Sequence, residues 1–225
     1  MNPFENILSA VRQKRPLVHF ITNYVTVNDC ANMTLALGGS PIMADDLREV
    51  EQIVGHCSAL VLNIGTLSER TVQSMLAAGK EANRLGRPVV FDPVGVGASR
   101  FRNETAAMLL REVRFDVIKG NISEIAYLAE GIGTTKGVDA NLDALSTEGN
   151  LSWHIGCCVG ADPQALLPSC VCAMSAMGIC GELAYEKLLS VDGGSGTYRV
   201  LLMDAMSKLD GTTLTHRSKA ERLRI

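Results

Sequence analysis

The feature that most constrains the fold is a strand–helix–strand unit over residues 59–91. Residues 59–64 are an apolar run of strand length, Ala-Leu-Val-Leu-Asn-Ile. Apolar residues at helical spacing follow, and Pro88 ends any helix before a second apolar run at residues 89–91. Two strands joined through a helix lie parallel in one sheet, with a right-handed crossover. The unit therefore predicts an α/β domain built on a mostly parallel sheet flanked by helices.

Apolar runs on both sides of this unit extend the same alternation of strands and helices. Further strands are predicted at residues 16–21, 41–43 and 115–118. Further helices are predicted at residues 27–37, 45–54, 104–113, 122–130, 151–159, 166–189 and 198–209. Asp45 or Asp46 is the expected cap of the helix at residues 45–54. The polar residues 215–222 are expected to fray.

Length and composition limit the kind of protein. A chain of 225 residues suits a single domain over residues 1–225. The formal net charge is −3 without a basic run, and aromatic residues make up 4%, so we expect no nucleic-acid partner. The sequence shows neither a signal peptide nor an apolar run that suggests a membrane span, and its cysteines lack disulfide or zinc spacing. These features predict a cytoplasmic protein with no membrane partner.

Two neighbouring strands of the predicted sheet end in polar groups that suit phosphate chemistry. Asp92 ends one strand and opens a glycine loop, while Lys119, Asn121 and Glu124 follow the next strand along the chain. Parallel strands end at the same edge of a sheet, which is where such sheets bind ligands. Carboxylates suit Mg²⁺, and the backbone N–H groups of a glycine loop suit an anion. The sequence therefore predicts a metal–phosphate site at this edge.

The same residues also have a purely structural interpretation. Asp92 can cap the turn that follows it. Asn121 with Glu124 three residues later matches a capping box for the following helix. The two interpretations of Glu124 are compatible, because a carboxylate in the first helical turn beside Lys119 can also hold a hydrated Mg²⁺.

A second set of polar residues follows the first two predicted strands. Asn23, Thr26 and Asn28 come after the first strand, and Met43 ends the second. Amides, a hydroxyl and a thioether can line a pocket for a small, partly apolar molecule. The alternative is an Asn-rich turn beside a core methionine.

Five segments, taken together and in order, resemble hydroxyethylthiazole kinases. They read LVHFITNYVT at residues 17–26, GSPIMA at 39–44, LNIGTL at 62–67, DPVGVGA at 92–98 and KGNISE at 119–124. The resemblance extends from residue 10 to residue 140 and resumes near Leu151, where it includes MGICGELAYE at residues 177–186.

The resemblance implies a ribokinase-like fold and ATP- and Mg²⁺-dependent phosphorylation of 4-methyl-5-(2-hydroxyethyl)thiazole in thiamine biosynthesis or salvage. Family members are usually homotrimers with the thiazole site between subunits. The implied roles are thiazole contact for Met43 with Asn23 nearby, Mg²⁺ for Asp92 and Glu124, and nucleotide phosphates for Lys119 and Asn121.

The sequence departs from the family pattern after residue 140. Two strands of the family are missing, and they include a segment that holds the nucleotide. The family's glycine–cysteine loop, which forms the anion hole, is missing too, so the catalytic group is unknown. The deletion, near residues 141–150, amounts to about fifty residues, comparable to a βαβ unit or more. Two functions stay open: an active thiazole kinase, or a catalytically inactive remnant that keeps a thiazole-binding or structural role.

Overall fold

A parallel sheet forms the centre of the protein in the computed structural model, which describes residues 3–130 and 148–219. Its strands are β1 (Leu17–Ile21), β2 (Ser40–Met43), β3 (Ala59–Asn63), β4 (Val89–Asp92) and β5 (Val117–Ile118). They are hydrogen-bonded in the order β2-β1-β3-β4-β5, and every pair is parallel. The predicted α/β class and the parallel sheet are confirmed.

Helices connect the strands and form the second half of the described chain. They are α1 (Pro3–Lys14), α2 (Val27–Leu37), α3 (Val50–His56), α4 (Glu69–Arg84), α5 (Arg100–Glu112), α6 (Ile122–Glu130), α7 (Glu148–Ala161), α8 (Leu166–Leu188), α9 (Ser195–Lys208) and α10 (Gly211–Arg217). Residues 131–147 lie outside the described residues. So does most of the segment near residues 141–150 where the sequence predicts a deletion.

Side chains alternate between the two faces of the sheet, as the period of a strand requires. On β1, Val18 and Phe20 join one core while Ile21 joins the other. On β3, Val61 and Leu62 divide in the same way. Helices α1, α2 and α7 to α10 pack on the first core, and α3, α4 and α5 pack on the second. Both faces are covered, as is usual for parallel strands.

Helix α7 lies closer to the sheet than an ordinary helix could. Trp153 is fully buried in the first core. A Cβ atom at Gly156 would come 2.6 Å from Cγ2 of Val61 and 3.2 Å from Cγ1 of Val18. Glycine therefore permits this approach, which brings the start of α7 to the end of β4.

The register of the sheet aligns the ends of its strands. Asn63 of β3 lies beside Asp92 of β4, and Phe20 of β1 lies beside Met43 of β2. The polar groups that follow these strands therefore share one edge of the sheet, as the sequence predicts.

The bounds of several predicted elements need correction. Helix α5 begins at Arg100 and not at residue 104, because Ser99 caps it by accepting the Arg102 N–H. Helix α3 begins at Val50, because the segment after Asp46 first makes a turn in which the Asp46 carbonyl accepts the N–H groups of Glu49 and Val50. Strand β5 is shorter than predicted and begins at Val117. The chain does not fray at residue 215, because α10 continues to Arg217 and its N-cap Asp210 accepts the Thr213 N–H.

Helix α8 also departs from the expectation of no membrane-spanning run. Among the described residues it is the one helix long and apolar enough to cross a membrane by length and composition. Its buried apolar residues, which include Cys172, Ala176 and Cys180, belong to the first core. The same length and composition occur in the core helices of globular proteins.

Candidate functional site

Asp92 is the centre of the polar edge. It is the last residue of β4 and is fully buried. Its Oδ2 atom accepts hydrogen bonds from Asn63 Nδ2 at 3.0 Å and from Ser152 Oγ at 2.6 Å, and the Lys119 ammonium lies 3.9 Å away. Its Oδ1 atom is buried without a hydrogen-bond partner in the described part of the chain. The two oxygens of one carboxylate therefore have very different surroundings.

Burial dominates the electrostatics of this carboxyl group. Desolvation raises the pKa of Asp92 to about 6, and the nearby Glu124 carboxylate acts in the same direction. The Lys119 charge and the hydrogen bonds from Ser152 and Asn63 lower the pKa without cancelling the effect of burial. A buried carboxylate with an unsatisfied oxygen is in an environment that a bound cation would improve.

Glu124 makes both of the contacts that a capping box requires. Asn121 Oδ1 accepts the Glu124 N–H at 2.8 Å, and Glu124 Oε2 accepts the Asn121 N–H at 2.9 Å. The predicted capping box is therefore present at the start of α6. Glu124 Oε1 also accepts the Gly95 N–H at 2.9 Å, which ties the loop after β4 to this helix.

The glycine loop does not offer its N–H groups to an anion. The Gly95 N–H is bonded to Glu124, and the Gly97 N–H donates to Asn103 Oδ1 at 2.7 Å. The N–H groups of Val96 and Ala98 donate to carbonyls within the loop. The prediction of an anion cradle from the Gly-Val-Gly pattern is wrong, because turn and side-chain bonds already use these donors.

Asn23 takes part in the hydrogen bonds of the polar edge, and Met43 ends the neighbouring strand β2 at the same edge of the sheet. Asn23 is buried at the end of β1, and its Nδ2 donates to Asn63 Oδ1 at 3.2 Å. The Asn23 Oδ1 atom accepts the N–H and the hydroxyl of Thr26, so the predicted Asn-rich turn is also present. Met43 is half-buried and packs against the first core.

Three further residues of this edge escaped the sequence analysis. Asn63 could have been found, because it is a polar residue inside an otherwise apolar strand sequence. Ser152 gives no local signal, since it reaches Asp92 from 60 positions along the chain. Arg102 donates to the carbonyls of Ile64, Gly65 and Val94, which clamps the loops after β3 and β4 together.

The donor set suits a cation held partly through water. Among the described residues, no group of three or more His, Cys, Asp or Glu side chains lies together as a full protein-ligand cage would require. Mg²⁺ usually keeps several waters and takes only one or two carboxylates from the protein. Asp92 Oδ1 can be such a ligand, and Glu124 has lone pairs left for a water of the cation.

A family comparison shows where this chain belongs. The model of the hydroxyethylthiazole kinase family matches residues 8–151, which include every polar residue described above except Ser152.

The chain belongs to the hydroxyethylthiazole kinase family.

Individual relatives agree with the family model. The chain is 44% identical to a hydroxyethylthiazole kinase of Desulfovibrio desulfuricans, over the whole of both sequences. It is 43% identical to one of Clostridium acetobutylicum, over 95% of this chain and 97% of the relative. A solved structure of the hydroxyethylthiazole kinase from Pyrococcus horikoshii is similar with a TM-score of 0.84 and 30% identity, over 96% of each chain.

The alignment with the Desulfovibrio relative also shows a difference in length. It extends over 285 positions and includes the whole of this chain, which has 225 residues. At least 60 aligned positions therefore have no counterpart here. The match to the family model ends at residue 151, near the point where the sequence resumes its resemblance after residue 140.

Proposed function

We propose that this chain is a hydroxyethylthiazole kinase, which transfers the γ-phosphoryl group of ATP to the hydroxyl of 4-methyl-5-(2-hydroxyethyl)thiazole with the help of Mg²⁺. Family membership supports the reaction class. The observation that carries the proposal is the buried, unpartnered Oδ1 atom of Asp92, close to the cationic Lys119. A phosphoryl transferase needs an anionic ligand for its cation and a positive charge for the phosphates.

Each predicted residue has a defined part in this proposal. Asp92 would hold Mg²⁺ with its unpartnered Oδ1 atom. Glu124, which fixes the loop at Gly95, would accept a hydrogen bond from a water of the cation. Mg²⁺ supplies neutralisation of charge on the transferring phosphoryl group. Lys119 and Asn121, which lie between β5 and α6, face the nucleotide phosphates.

The acceptor alcohol takes the other end of the polar edge. Asn23 lies just after the end of β1, and Met43 ends the neighbouring strand β2. We assign the thiazole to this part, with a thioether for its sulfur-containing ring and an amide for polar contact. A homotrimer with the thiazole site between subunits and a cytoplasmic location belong to the same proposal.

The internal deletion is part of this proposal too. We assign the missing positions to a break near residues 141–150 within a single domain over residues 1–225. The surplus of aligned positions in the relative and the end of the family match support this assignment. The group that replaces the family's glycine–cysteine loop stays unassigned, and one lost oxyanion donor alone lowers a rate by about 10²–10³-fold. We therefore expect slow turnover.

The test is ATP-dependent phosphorylation of the thiazole alcohol by the purified chain and by Asp92→Asn. We expect turnover in the parent chain and a loss of at least about 10²-fold in the variant, because the amide cannot replace an anionic cation ligand. Asp116→Asn is a matched control, since Asp116 accepts the Val89 N–H at the opposite end of β4. It should keep the parent rate.

Two results would contradict the proposal. One is a folded chain that binds the thiazole alcohol and never phosphorylates it, which is the behaviour of an inactive remnant. The other is equal turnover in the parent chain and in Asp92→Asn.

A further inference from the structure

Asn63 connects the two halves of the polar edge. Its Oδ1 atom accepts the side chain of Asn23 at 3.2 Å, and its Nδ2 atom donates to Asp92 at 3.0 Å. It is almost completely buried, and its neighbours in the sheet are β1 on one side and β4 on the other. One amide therefore touches a residue assigned to the acceptor alcohol and a residue assigned to the cation.

Backbone N–H groups fix the direction of this amide. The Gly65 N–H donates to Asn63 Oδ1 at 2.9 Å, and a backbone N–H can only donate. The oxygen of Asn63 must therefore face Gly65, so its NH₂ group must face Asp92. The Thr26 N–H fixes Asn23 in the same way, because it donates to Asn23 Oδ1 at 3.1 Å.

These bonds form a chain in which every N–H group donates in the direction of Asp92. It runs from the Thr26 N–H through the amides of Asn23 and Asn63 to Asp92 Oδ2. A Cβ atom at Gly65 would come 2.9 Å from both Asn23 Cβ and Asn63 Oδ1, so the turn is fitted closely around the two amides. With Ser152 on the same oxygen, Asp92 Oδ2 is saturated and Oδ1 alone is left open.

We propose that Asn63 is a positioning residue, which couples the acceptor side of the site at Asn23 to the cation side at Asp92 and keeps Oδ1 of Asp92 free for the cation. This inference rests on the proposed function for the assignment of the two sides. It goes beyond that function because the amide of Asn63 makes the two sides depend on each other. The position of the cation then depends on Asn23, and that of the acceptor alcohol depends on Asp92.

The experiment measures binding without turnover. The affinity for Mn²⁺, a paramagnetic probe of the Mg²⁺ site, is measured by electron paramagnetic resonance, and the affinity for hydroxyethylthiazole by calorimetry. Asn63→Leu and the smaller Asn63→Ala should both weaken Mn²⁺ binding by roughly 10-fold, since residues that orient a metal ligand have effects of this size. They should weaken thiazole binding several-fold as well.

A merely structural role for Asn63 would give a different result. Asn83→Leu is the matched control, because the Asn83 amide also makes two bonds of opposite polarity, both to the backbone of Arg114 and away from the site. It should lower the melting temperature and leave both affinities unchanged. A variant of Asn63 that behaves in this way would overturn the inference.

Coupling along the hydrogen-bond chain is tested by a double-mutant cycle. Asn23→Ala should weaken Mn²⁺ binding about 2- to 3-fold in the parent chain, although Asn23 does not bond to Asp92, and should have no such effect beside Asn63→Leu. Additive effects of the two substitutions would overturn the inference. It would also be overturned if Asn23→Ala, or Asp92→Asn, left the affinity for Mn²⁺ unchanged. If this coupling is observed but the chain shows no turnover, the kinase proposal is rejected and the inference about Asn63 stands.

Discussion

The two ends of the polar edge differ in how completely the chain's own residues enclose them. At the ends of β1, β3 and β4, the side chains of Asn23, Asn63 and Asp92 are buried and bonded to one another. At β5 and the start of α6, apolar side chains are exposed instead, with Ile118 at 41% and Ile122 at 90%. The side that we assign to the acceptor and the cation is held together by the chain's own hydrogen bonds, whereas the side that we assign to the nucleotide exposes apolar side chains.

An apolar cavity marks the open end. It has a volume of about 350 Å³ and borders Lys119 and Asn121. Its apolar wall is formed by Val117, Ile118, Ile125, Leu151, Ile155 and Met174. Among the described residues, β5 has no strand on its outer side. The hydrogen bonds that hold Asp92 come from Asn63 and Ser152, which lie outside the segment near residues 141–150 where we propose a deletion.

The largest effect on stability is expected at the buried end of the polar edge, where the titration of Asp92 makes stability depend on pH. Burial raises the pKa of Asp92 from 3.8 to about 6, so the folded chain keeps this proton between about pH 4 and pH 6 while the unfolded chain loses it. The free energy of unfolding should therefore fall as pH rises through this range, by up to about 3 kcal/mol. Asp92→Asn should lack this slope and melt at a higher temperature than the parent chain at pH 7.

Melting curves of both proteins between pH 4 and pH 7 check this prediction, and saturating Mg²⁺ at pH 7 should reduce the difference. Parallel pH profiles for the two proteins would mean that Asp92 is better solvated than the buried end implies.

Two helix glycines, one in α7 and one in α8, differ in how much space surrounds them. Gly156 faces Val61 and Val18 on the sheet, whereas a Cβ atom at Gly178 of α8 would meet no described atom within 4 Å. Gly156→Ala should lower the free energy of unfolding by about 1–3 kcal/mol, because α7 must move away from the sheet. Gly178→Ala should raise it by about 0.5–1 kcal/mol through helix propensity.

Chemical denaturation of both variants measures the contrast. If both substitutions stabilised the chain, α7 would not be packed against the sheet as closely as the structure shows.

The link between the two ends is tested at Glu124. Each of its oxygens accepts one backbone N–H group, from Gly95 and from Asn121. Glu124→Gln replaces one acceptor by an NH₂ donor that faces another donor, so it should destabilise the chain by about 1–2 kcal/mol. Glu104→Gln is the control, because Glu104 is exposed and its ion pair with Arg100 lies at the surface.

Denaturant midpoints give the values, and the control should change by less than about 0.5 kcal/mol. Equal midpoints for the two variants would show that the capping box contributes nothing beyond a surface pair.

The smallest effect is expected at the open end. Ile122 is the first residue of α6 and its side chain meets solvent. Ile122→Lys should change the free energy of unfolding by less than about 0.5 kcal/mol, since an exposed side chain removes little apolar surface from water. A loss as large as that of Glu124→Gln would mean that this end is covered in solution.

Local features of this protein were readable from the sequence. The apolar runs predicted all five strands, and the spacing of Asn121 and Glu124 predicted a capping box that the structure contains. Ser68 likewise caps α4, as a Ser before a helical run indicates. The caps were readable because their hydrogen bonds join residues three positions apart. The strands were readable because an apolar run of strand length is itself a local pattern.

Tertiary structure alone decided which polar atoms are used and which are open. The bond from Asn63 to Asp92 depends on the register of β3 and β4, and the bond from Ser152 depends on how closely Gly156 lets α7 approach the sheet. The glycine pattern predicts N–H groups that are free for an anion, but Glu124 and Asn103 accept those of Gly95 and Gly97. A sequence pattern identifies a donor or an acceptor, but only packing between distant segments determines whether a partner reaches it first.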